Sequence, residues 1–253
     1  MSEYFHYIST GDYNFNISLL KMPDVINLFD DIDKHSGEIH NHLNSLPKFT
    51  SQDVTYLIGM FLIISRRQMR NAFYLFLRRM SYDAMLLFRV GLECAVFSFR
   101  IFKDNNLAIV WALKDENWKE FSEEFRRKEF PNDMPFKDEI RGQLDLLNHY
   151  WSHPNINYFS GSTVFPEIEQ ELLEKEIKVH FFDHKENNFL LNLIWFLDNS
   201  IKIIAIYRNI FQEKFPILIN STEEKYQKLL IALEQMKIKY KTSIKLVNLT
   251  LKK

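Results

Sequence analysis

Apolar residues recur with a helical period along most of this chain. Between Pro23 and Leu46 the apolar positions fall close to one stripe of a helix, and Pro47 follows its end. Pro23 occupies a favoured first-turn position. Gly37 lies inside the segment and would bend or break the helix. Segment 23–46 therefore predicts an amphipathic helix.

Two longer apolar segments follow. The first predicts a helix that runs to Met80, with Thr50 or Ser51 as its N-cap. The second predicts a helix over residues 82–103, with Ser81 as its cap. The short junction between them indicates an antiparallel hairpin or a sharp kink.

The rest of the chain predicts shorter amphipathic helices and one long buried helix. These helices are expected over residues 107–114, 117–130, 137–151, 187–215 and 221–240. A short strand or hairpin is expected near 157–184, where segment 174–184 weakly alternates apolar and polar residues.

Both ends of the chain lack such periodicity. Residues 1–22 are interpreted as an N-terminal arm, with a short strand at most, and residues 241–253 as a basic, extended C-terminal tail. No repeat or linker divides residues 1–253. We therefore expect one all-α domain, a bundle of about seven or eight helices.

Composition supports this fold class and limits the cellular compartments in which we expect the protein. Only 6 Gly and 7 Pro are present, too few for the tight turns of an all-β sandwich, and no phosphate-binding glycine motif occurs. The net charge of -1 provides no general attraction to nucleic acid or membranes. The apolar runs are shorter than the roughly 20 residues that span a bilayer. With Cys94 as the single cysteine and no signal peptide visible, we expect a cytoplasmic protein with no membrane partner.

The helix over 82–103 carries charges inside an apolar sequence. Tyr82, Arg89, Glu93 and Arg100 fall on one line of the helix, because steps of 4, 7 and 11 residues return to nearly the same angle. A buried charge needs a partner, and Arg before Glu is the less favourable order for a local pair. We therefore expect partners on other helices, either in an ion-pair network that sets helix register or at a catalytic or binding centre. The remaining alternative is that the line simply faces water.

The opposite side of the same helix carries small residues. These are Ala84, Gly91, Ala95 and Ser98. Small side chains allow a neighbouring helix to approach closely, so this side is expected to be a packing surface.

Histidines mark two further places where chemistry is expected. His149 and His153 are four residues apart at a predicted helix end, with Ser152 between them, and His180 and His184 repeat the spacing. Each pair could supply two metal ligands on one helical face, although no HExxH motif is present. The alternative is hydrogen bonding at helix ends, and His153 beside the polar line is also a candidate general acid or base.

Arginines form one basic arc on the preceding helix. The arc consists of Arg66, Arg67, Arg70, Arg78 and Arg79. Such an arc can follow the phosphates of a nucleic acid. The balanced overall charge favours the other interpretation, a solvated face that pairs with the acidic segment 120–125.

The segment RVGLE (89–93), followed by LNHYWSHPN (147–155), resembles a broad bacterial family of uncharacterised all-helical proteins. In that family a core helix carries an R-x-x-x-E-like pair and a later helix ends in a Ser/His motif. The resemblance covers residues 55–215 and implies that Arg89, Glu93, Ser152 and His153 are the shared polar residues.

Some proteins of this family look similar to HEPN domains, the helical bundles of ribonucleases in toxin and antiviral defence systems. HEPN ribonucleases use an Arg-polar-x-x-x-His motif. In this sequence Arg70-Asn71 and Arg208-Asn209 begin such a motif, but no His follows at the required distance.

Three functional hypotheses follow. The first is a binding or structural role centred on Arg89, Glu93 and His153, with no cofactor. The second is a metal-independent, HEPN-like ribonuclease in which His153 transfers protons and Arg89 or Arg141 stabilises the negative charge of the transition state. The third is a metal site formed by the two histidine pairs. RNA, another protein and a second copy of the chain are all open as partners.

Overall fold

A computed structural model describes most of the chain. The described residues are 2–45, 54–126, 130–150, 163–164, 178–179, 182–183 and 186–250.

Within these ranges the fold is all-α, as the sequence predicts, with ten helices instead of about seven or eight. The helices are α1 (Glu3–Lys21), α2 (Pro23–Ser45), α3 (Val54–Leu77), α4 (Ser81–Lys103), α5 (Asn106–Ala112), α6 (Trp118–Arg126), α7 (Lys137–Tyr150), α8 (Glu186–Lys214), α9 (Pro216–Ser221) and α10 (Glu223–Thr250). Two short strands, β1 (Thr163–Val164) and β2 (Lys178–Val179), pair antiparallel within the region where a strand or hairpin was expected.

Helices α3 and α4 form the central antiparallel hairpin. The small side of α4 is buried, as predicted, and faces α3 at Gly91, whose carbonyl oxygen accepts a hydrogen bond from Ser65 Oγ at 2.8 Å. A methyl group placed on Gly91 would lie 3.3 Å from the carbonyl oxygen of Ser65. The two backbones therefore approach as closely as the absence of a side chain allows.

Helix α8 joins this hairpin to α2 through an aromatic cluster. The ring of Phe196 lies 5.8 Å from Phe29 of α2, 5.0 Å from Phe76 of α3 and 4.9 Å from Phe88 of α4, measured between centroids. All four side chains are buried in one continuous apolar core. Such ring pairs add to the stabilisation that comes from burial alone.

By length and composition alone, α8 could also span a membrane. The most apolar part of the helix is mostly buried inside the bundle, however, and core helices pass the same test. The length and apolarity of α8 are thus accounted for by its position between the other helices.

The two ends of the chain differ from the sequence prediction. Residues 3–21, expected to be an arm, form helix α1, which begins at the N-cap Ser2. Ser18 Oγ donates to the carbonyl oxygen of Leu77, and Asn14 Nδ2 donates to that of Arg78. Part of the docking of α1 thus depends on polar contacts, which leave no apolar stripe in the sequence. At the other end α10 continues to Thr250, so the expected extended tail is helical up to that residue.

Two local predictions in the first half of the chain were wrong. Helix α2 runs through Gly37 without the expected break. The glycine makes room for Arg66, whose Nη2 would lie 2.7 Å from an added methyl group. Ser81 is the first residue of α4 and not its N-cap. The carboxylate of Asp183 accepts the hydrogen bond of the Ser81 amide instead.

We predict opposite effects for side chains added at two helical glycines. Gly91→Val should lower the free energy of unfolding by about 1–3 kcal/mol, because it pushes α3 and α4 apart. Gly142→Ala should raise it by roughly 0.5–1 kcal/mol, since an added methyl group on this glycine of α7 meets nothing within 4 Å. Urea denaturation measures both values. Similar values for Gly91→Val and wild type would contradict the close α3–α4 contact.

Candidate functional site

A cleft of about 190 Å³ lies between α4, α6 and α7. The polar line of α4 forms one wall of it, with Arg89, Glu93 and Arg100. Asn148 of α7 adds a fourth polar side chain. Aromatic rings form much of the remaining surface, namely Phe97, Phe121, Phe125 and Phe130. The cleft therefore combines cations with apolar walls.

Arg89 and Glu93 pair with each other across one turn of α4. Arg89 Nε donates to Glu93 Oε1 at 3.0 Å, and the two side chains are 31% and 30% exposed. The expectation of partners on other helices is thus not met for this pair among the described residues. Because both charges are partly hydrated in the cleft, the pair does not have to offset complete desolvation.

Arg100 lies deeper in the same wall, with its side chain 8% exposed. Its Nη1 donates to the carbonyl oxygen of Glu124 at 2.9 Å, and its Nη2 lies 4.0 Å from the carboxylate of that residue. The guanidinium also lies 5.1 Å from the ring centroid of Phe125. For Arg100 the expectation of a partner on another helix is confirmed.

The aromatic wall is internally packed. Phe121 stacks on Phe125 at a centroid distance of 5.1 Å, and Phe97 meets Phe125 edge-on at 5.0 Å. Arg141 covers Phe130 with its guanidinium 5.1 Å from the ring centroid. Each ring is held by a neighbour, so this wall is formed before any ligand arrives.

The histidine part of the predicted site lies largely outside the described residues. His149 belongs to the backbone of α7 directly after Asn148, which lines the cleft. The side chain of His149 and residues Ser152, His153, His180 and His184 are outside the described part. In the described part of the chain, no group of three or more potential ligands could hold a metal ion.

The basic arc binds partners that the sequence analysis did not identify. Arg66 and Arg70 of α3 each form two hydrogen bonds with the carboxylate of Asp33 on α2, at 2.6–2.9 Å. Burial alone would raise the pKa of Asp33, but the hydrogen bonds of Arg70 and Arg66 outweigh it and hold the pKa below its ordinary value. The partner is therefore α2 and not segment 120–125.

Arg78, at the end of the same arc, is also occupied. Its Nη1 donates to Tyr74 Oη at 2.6 Å, and its Nη2 lies 3.2 Å from the carboxylate of Asp12 on α1. Arg67 is exposed on the surface of α3. Arg66, Arg70 and Arg78 thus attach α1 and α2 to α3. The binding of phosphates by the arc stays a prediction.

Asp183, which lies directly before His184 in the sequence, holds the start of α4. Its carboxylate accepts from the amide and the hydroxyl of Ser81, and its own amide donates to the carbonyl oxygen of Arg79 at 2.7 Å. Phe182 stacks on Tyr7 of α1 at a centroid distance of 5.3 Å. Burial raises the pKa of Asp183 to about 6.

Arg208 of α8 forms a second buried polar centre, which sequence reasoning missed. Its guanidinium donates to His35 Nε2 at 2.9 Å, to Thr222 Oγ1 at 2.8 Å and to the carbonyl oxygen of Ile219 at 3.2 Å. It also pairs with Glu223 at 2.5 Å. The only signal in the sequence was an arginine in an otherwise apolar helix. These contacts tie α8 to α2 and to the α9–α10 turn.

His35 is neutral in this centre. Burial, and then the charge of Arg208, lower its pKa to about 4. Since Nε2 accepts from Arg208, the proton of the neutral ring is on Nδ1, and this atom is buried with no partner in the described structure. A second proton would bring a cation next to a buried guanidinium.

Comparison of the chain with protein-family models, with curated proteins and with solved structures finds no match. The resemblance to HEPN-like bacterial proteins therefore stays a prediction from short motifs.

We predict that His35 and Asp183 change stability in opposite directions below pH 6.5. The unfolded chain takes up a proton at His35 below pH 6.5, but the folded protein does so only near pH 4. The contribution of His35 to the free energy of unfolding is thus fully present above pH 6.5 and is lost as the pH falls. The folded protein takes up a proton at Asp183 near pH 6, but the unfolded chain does so only below 3.8. The contribution of Asp183 to the free energy of unfolding is fully present below pH 3.8 and is lost as the pH rises through 6.

Urea denaturation at several pH values between 7 and 4.5 separates these contributions. As the pH falls, the free energy of unfolding of His35→Gln should decrease less than that of wild type, and the free energy of unfolding of Asp183→Asn should decrease more. The slope of each variant should differ from that of wild type by at most about 1.4 kcal/mol per pH unit. His6→Gln, at an exposed position of α1, is the control. Curves for the two variants that run parallel to wild type would contradict the assignment.

Proposed function

We propose that this protein binds a small anionic molecule in the cleft between α4, α6 and α7. The observation that carries the proposal is the state of Arg89. Its guanidinium lines the cleft, is 31% exposed, and within the described structure bonds only to Glu93 of the same helix, through Nε. The Nη atoms of Arg89 are therefore free to bind a ligand.

The weak pairing with Glu93 leaves most of the binding capacity of Arg89 unused. A partly exposed i,i+4 pair contributes only about 0.3–0.5 kcal/mol, and it occupies Nε alone, so an anion can bind the Nη atoms without displacing Glu93. Hydrogen bonds between a guanidinium and an anion are strong, and the apolar walls of the cleft strengthen them further. Arg66, Arg70 and Arg78 of the basic arc offer no comparable site, because Asp33 or Asp12 already pairs with each of them.

We predict that small anions stabilise the protein through Arg89. At constant ionic strength, acetate, benzoate or inorganic phosphate in excess over its Kd should raise the midpoint of thermal unfolding, because a ligand that binds only the folded state stabilises it. Arg89→Gln should abolish this rise. Arg70→Gln, which removes an arginine outside the cleft, should preserve it. An equal rise in wild type and Arg89→Gln for every anion would overturn the proposed function.

RNA cleavage is a second candidate function, supported by one observation. Arg89 and Arg100 line the cleft together with Asn148, and His149, Ser152 and His153 follow Asn148 within five residues of sequence. Two cations and a nearby histidine are the groups that a metal-independent ribonuclease uses to stabilise charge and to transfer protons. The motif resemblance to HEPN-like proteins points to the same chemistry.

Cleavage of single-stranded RNA in the presence of EDTA, together with toxicity on expression in cells, tests this second candidate. Wild type and the control His6→Ala should cleave RNA, and His153→Ala should lose at least about 100-fold in rate, the usual contribution of general acid–base catalysis. Failure of wild type to cleave, or full activity of His153→Ala, would exclude this function for the RNA tested.

A further inference from the structure

The size of the cleft limits which ligands can bind in it. An inference about the ligand rests on the proposed function, the binding of a small anion in this cleft. The volume is about 190 Å³. Pockets for drug-sized ligands measure roughly 300–1,000 Å³, whereas an engineered apolar cavity of about 150 Å³ holds a benzene molecule. The cleft therefore has room for one six-membered ring with a small substituent.

The aromatic wall favours a flat ring over an aliphatic chain. Phe121 and Phe97 both pack on Phe125, and Arg100 covers Phe125 from the helix α4 side. Phe97 and Phe121 are half-buried and line the cleft. Rings prefer offset-stacked or edge-on neighbours, so a planar ligand can pack on these two rings. Asn148, at the α7 side, adds a polar group to an otherwise apolar surface.

The charges of the lining residues limit the anion. Arg89 and Arg100 bring two positive charges, and Glu93 brings one negative charge, so these three side chains leave one positive charge. The carboxylate of Glu124, 4.0 Å from Nη2 of Arg100, makes the surroundings still less positive. The site therefore offers at most one positive charge to a ligand, and a second negative charge on that ligand is repelled by Glu93, which lies next to the guanidinium that binds the anion.

We infer that the ligand is an aromatic monoanion about the size of benzoate, that Arg89 binds its carboxylate, and that Glu93 excludes dianions. The ring lies against the half-buried rings of Phe97 and Phe121, while the carboxylate accepts hydrogen bonds from the Nη atoms of Arg89. Glu93 keeps its hydrogen bond to Nε and acts as the residue that determines specificity.

Three probes of similar size and different charge test the inference by ligand-observed NMR titration at pH 8. Benzoate is a monoanion, benzyl alcohol is neutral, and phenyl phosphate is a dianion because the second pKa of a phosphate monoester is about 6. Benzoate should bind at least about tenfold more tightly than either of the other two. Equal affinity of phenyl phosphate and benzoate for wild type would overturn the inference.

Glu93→Gln provides the decisive comparison, because it keeps the size of the side chain and removes its charge. The affinity of phenyl phosphate relative to benzoate should rise at least about tenfold in this variant, since a like-charge contact disappears. Glu224→Gln, which breaks an i,i+4 pair with Lys228 on α10, is the matched control and should leave the ratio unchanged. An unchanged ratio in a Glu93→Gln protein that unfolds at the same temperature as wild type would refute the role of Glu93.

The outcomes also separate this inference from the proposed function. If acetate stabilises the protein through Arg89 but benzoate binds no better than acetate, the inference of an aromatic ligand is wrong and the proposed anion site is retained. If the rise in the midpoint of thermal unfolding does not depend on Arg89 for acetate, benzoate or phosphate, both proposals are wrong.

Discussion

At Gly91 the backbones of α3 and α4 come into direct contact, and the neighbouring polar groups depend on that distance. Ser65 Oγ donates to the Gly91 carbonyl oxygen, so the hydroxyl of Tyr207 must donate to Ser65, and Ser98 Oγ donates to Tyr207. This directed chain of hydrogen bonds crosses from α4 through α8 to α3 inside an apolar core. A wider gap between α3 and α4 would leave several buried hydroxyls without partners, which costs more than the hydrogen bonds themselves contribute.

The position of α4 explains why its charges behave differently from those of α8. Helices α3 and α8 cover one side of α4, and its other side borders the cleft, where Arg89 and Glu93 stay partly hydrated. Arg208 of α8 has no such access to water and is surrounded by oxygen and nitrogen acceptors from three other elements. A charge that retains water can have a single weak partner, whereas a charge that loses all its water needs every donor satisfied.

The sequence predicted those parts of the fold in which apolar spacing reflects packing. The α3–α4 hairpin, its small-residue contact and the long α8 follow from periodicity, because they bury one side or all sides against other helices. Helix α1 was missed because Ser18 and Asn14 attach it by hydrogen bonds to the end of α3, and such contacts leave no stripe in the sequence.

Side-chain partners that lie far apart in the chain could not be predicted from apolar spacing either. Asp33 with Arg66, and His35 with Arg208, are joined only by the packing of α2 on the other helices. For the candidate site, the polar line of α4 was predictable from helix geometry, but the aromatic wall opposite it was not, since that wall depends on how α6 and α7 return to α4.

The pairing of Arg89 with Glu93 within one turn of α4 has an evolutionary consequence. Neither side chain connects α4 to another helix in the described structure, so substitutions at these positions leave the scaffold intact. Arg208 and Gly91, by contrast, each hold several helices together and tolerate little change. Under the proposed function, selection can therefore alter which ligand the cleft binds through Arg89 and Glu93, while the contacts that hold the bundle together stay unchanged.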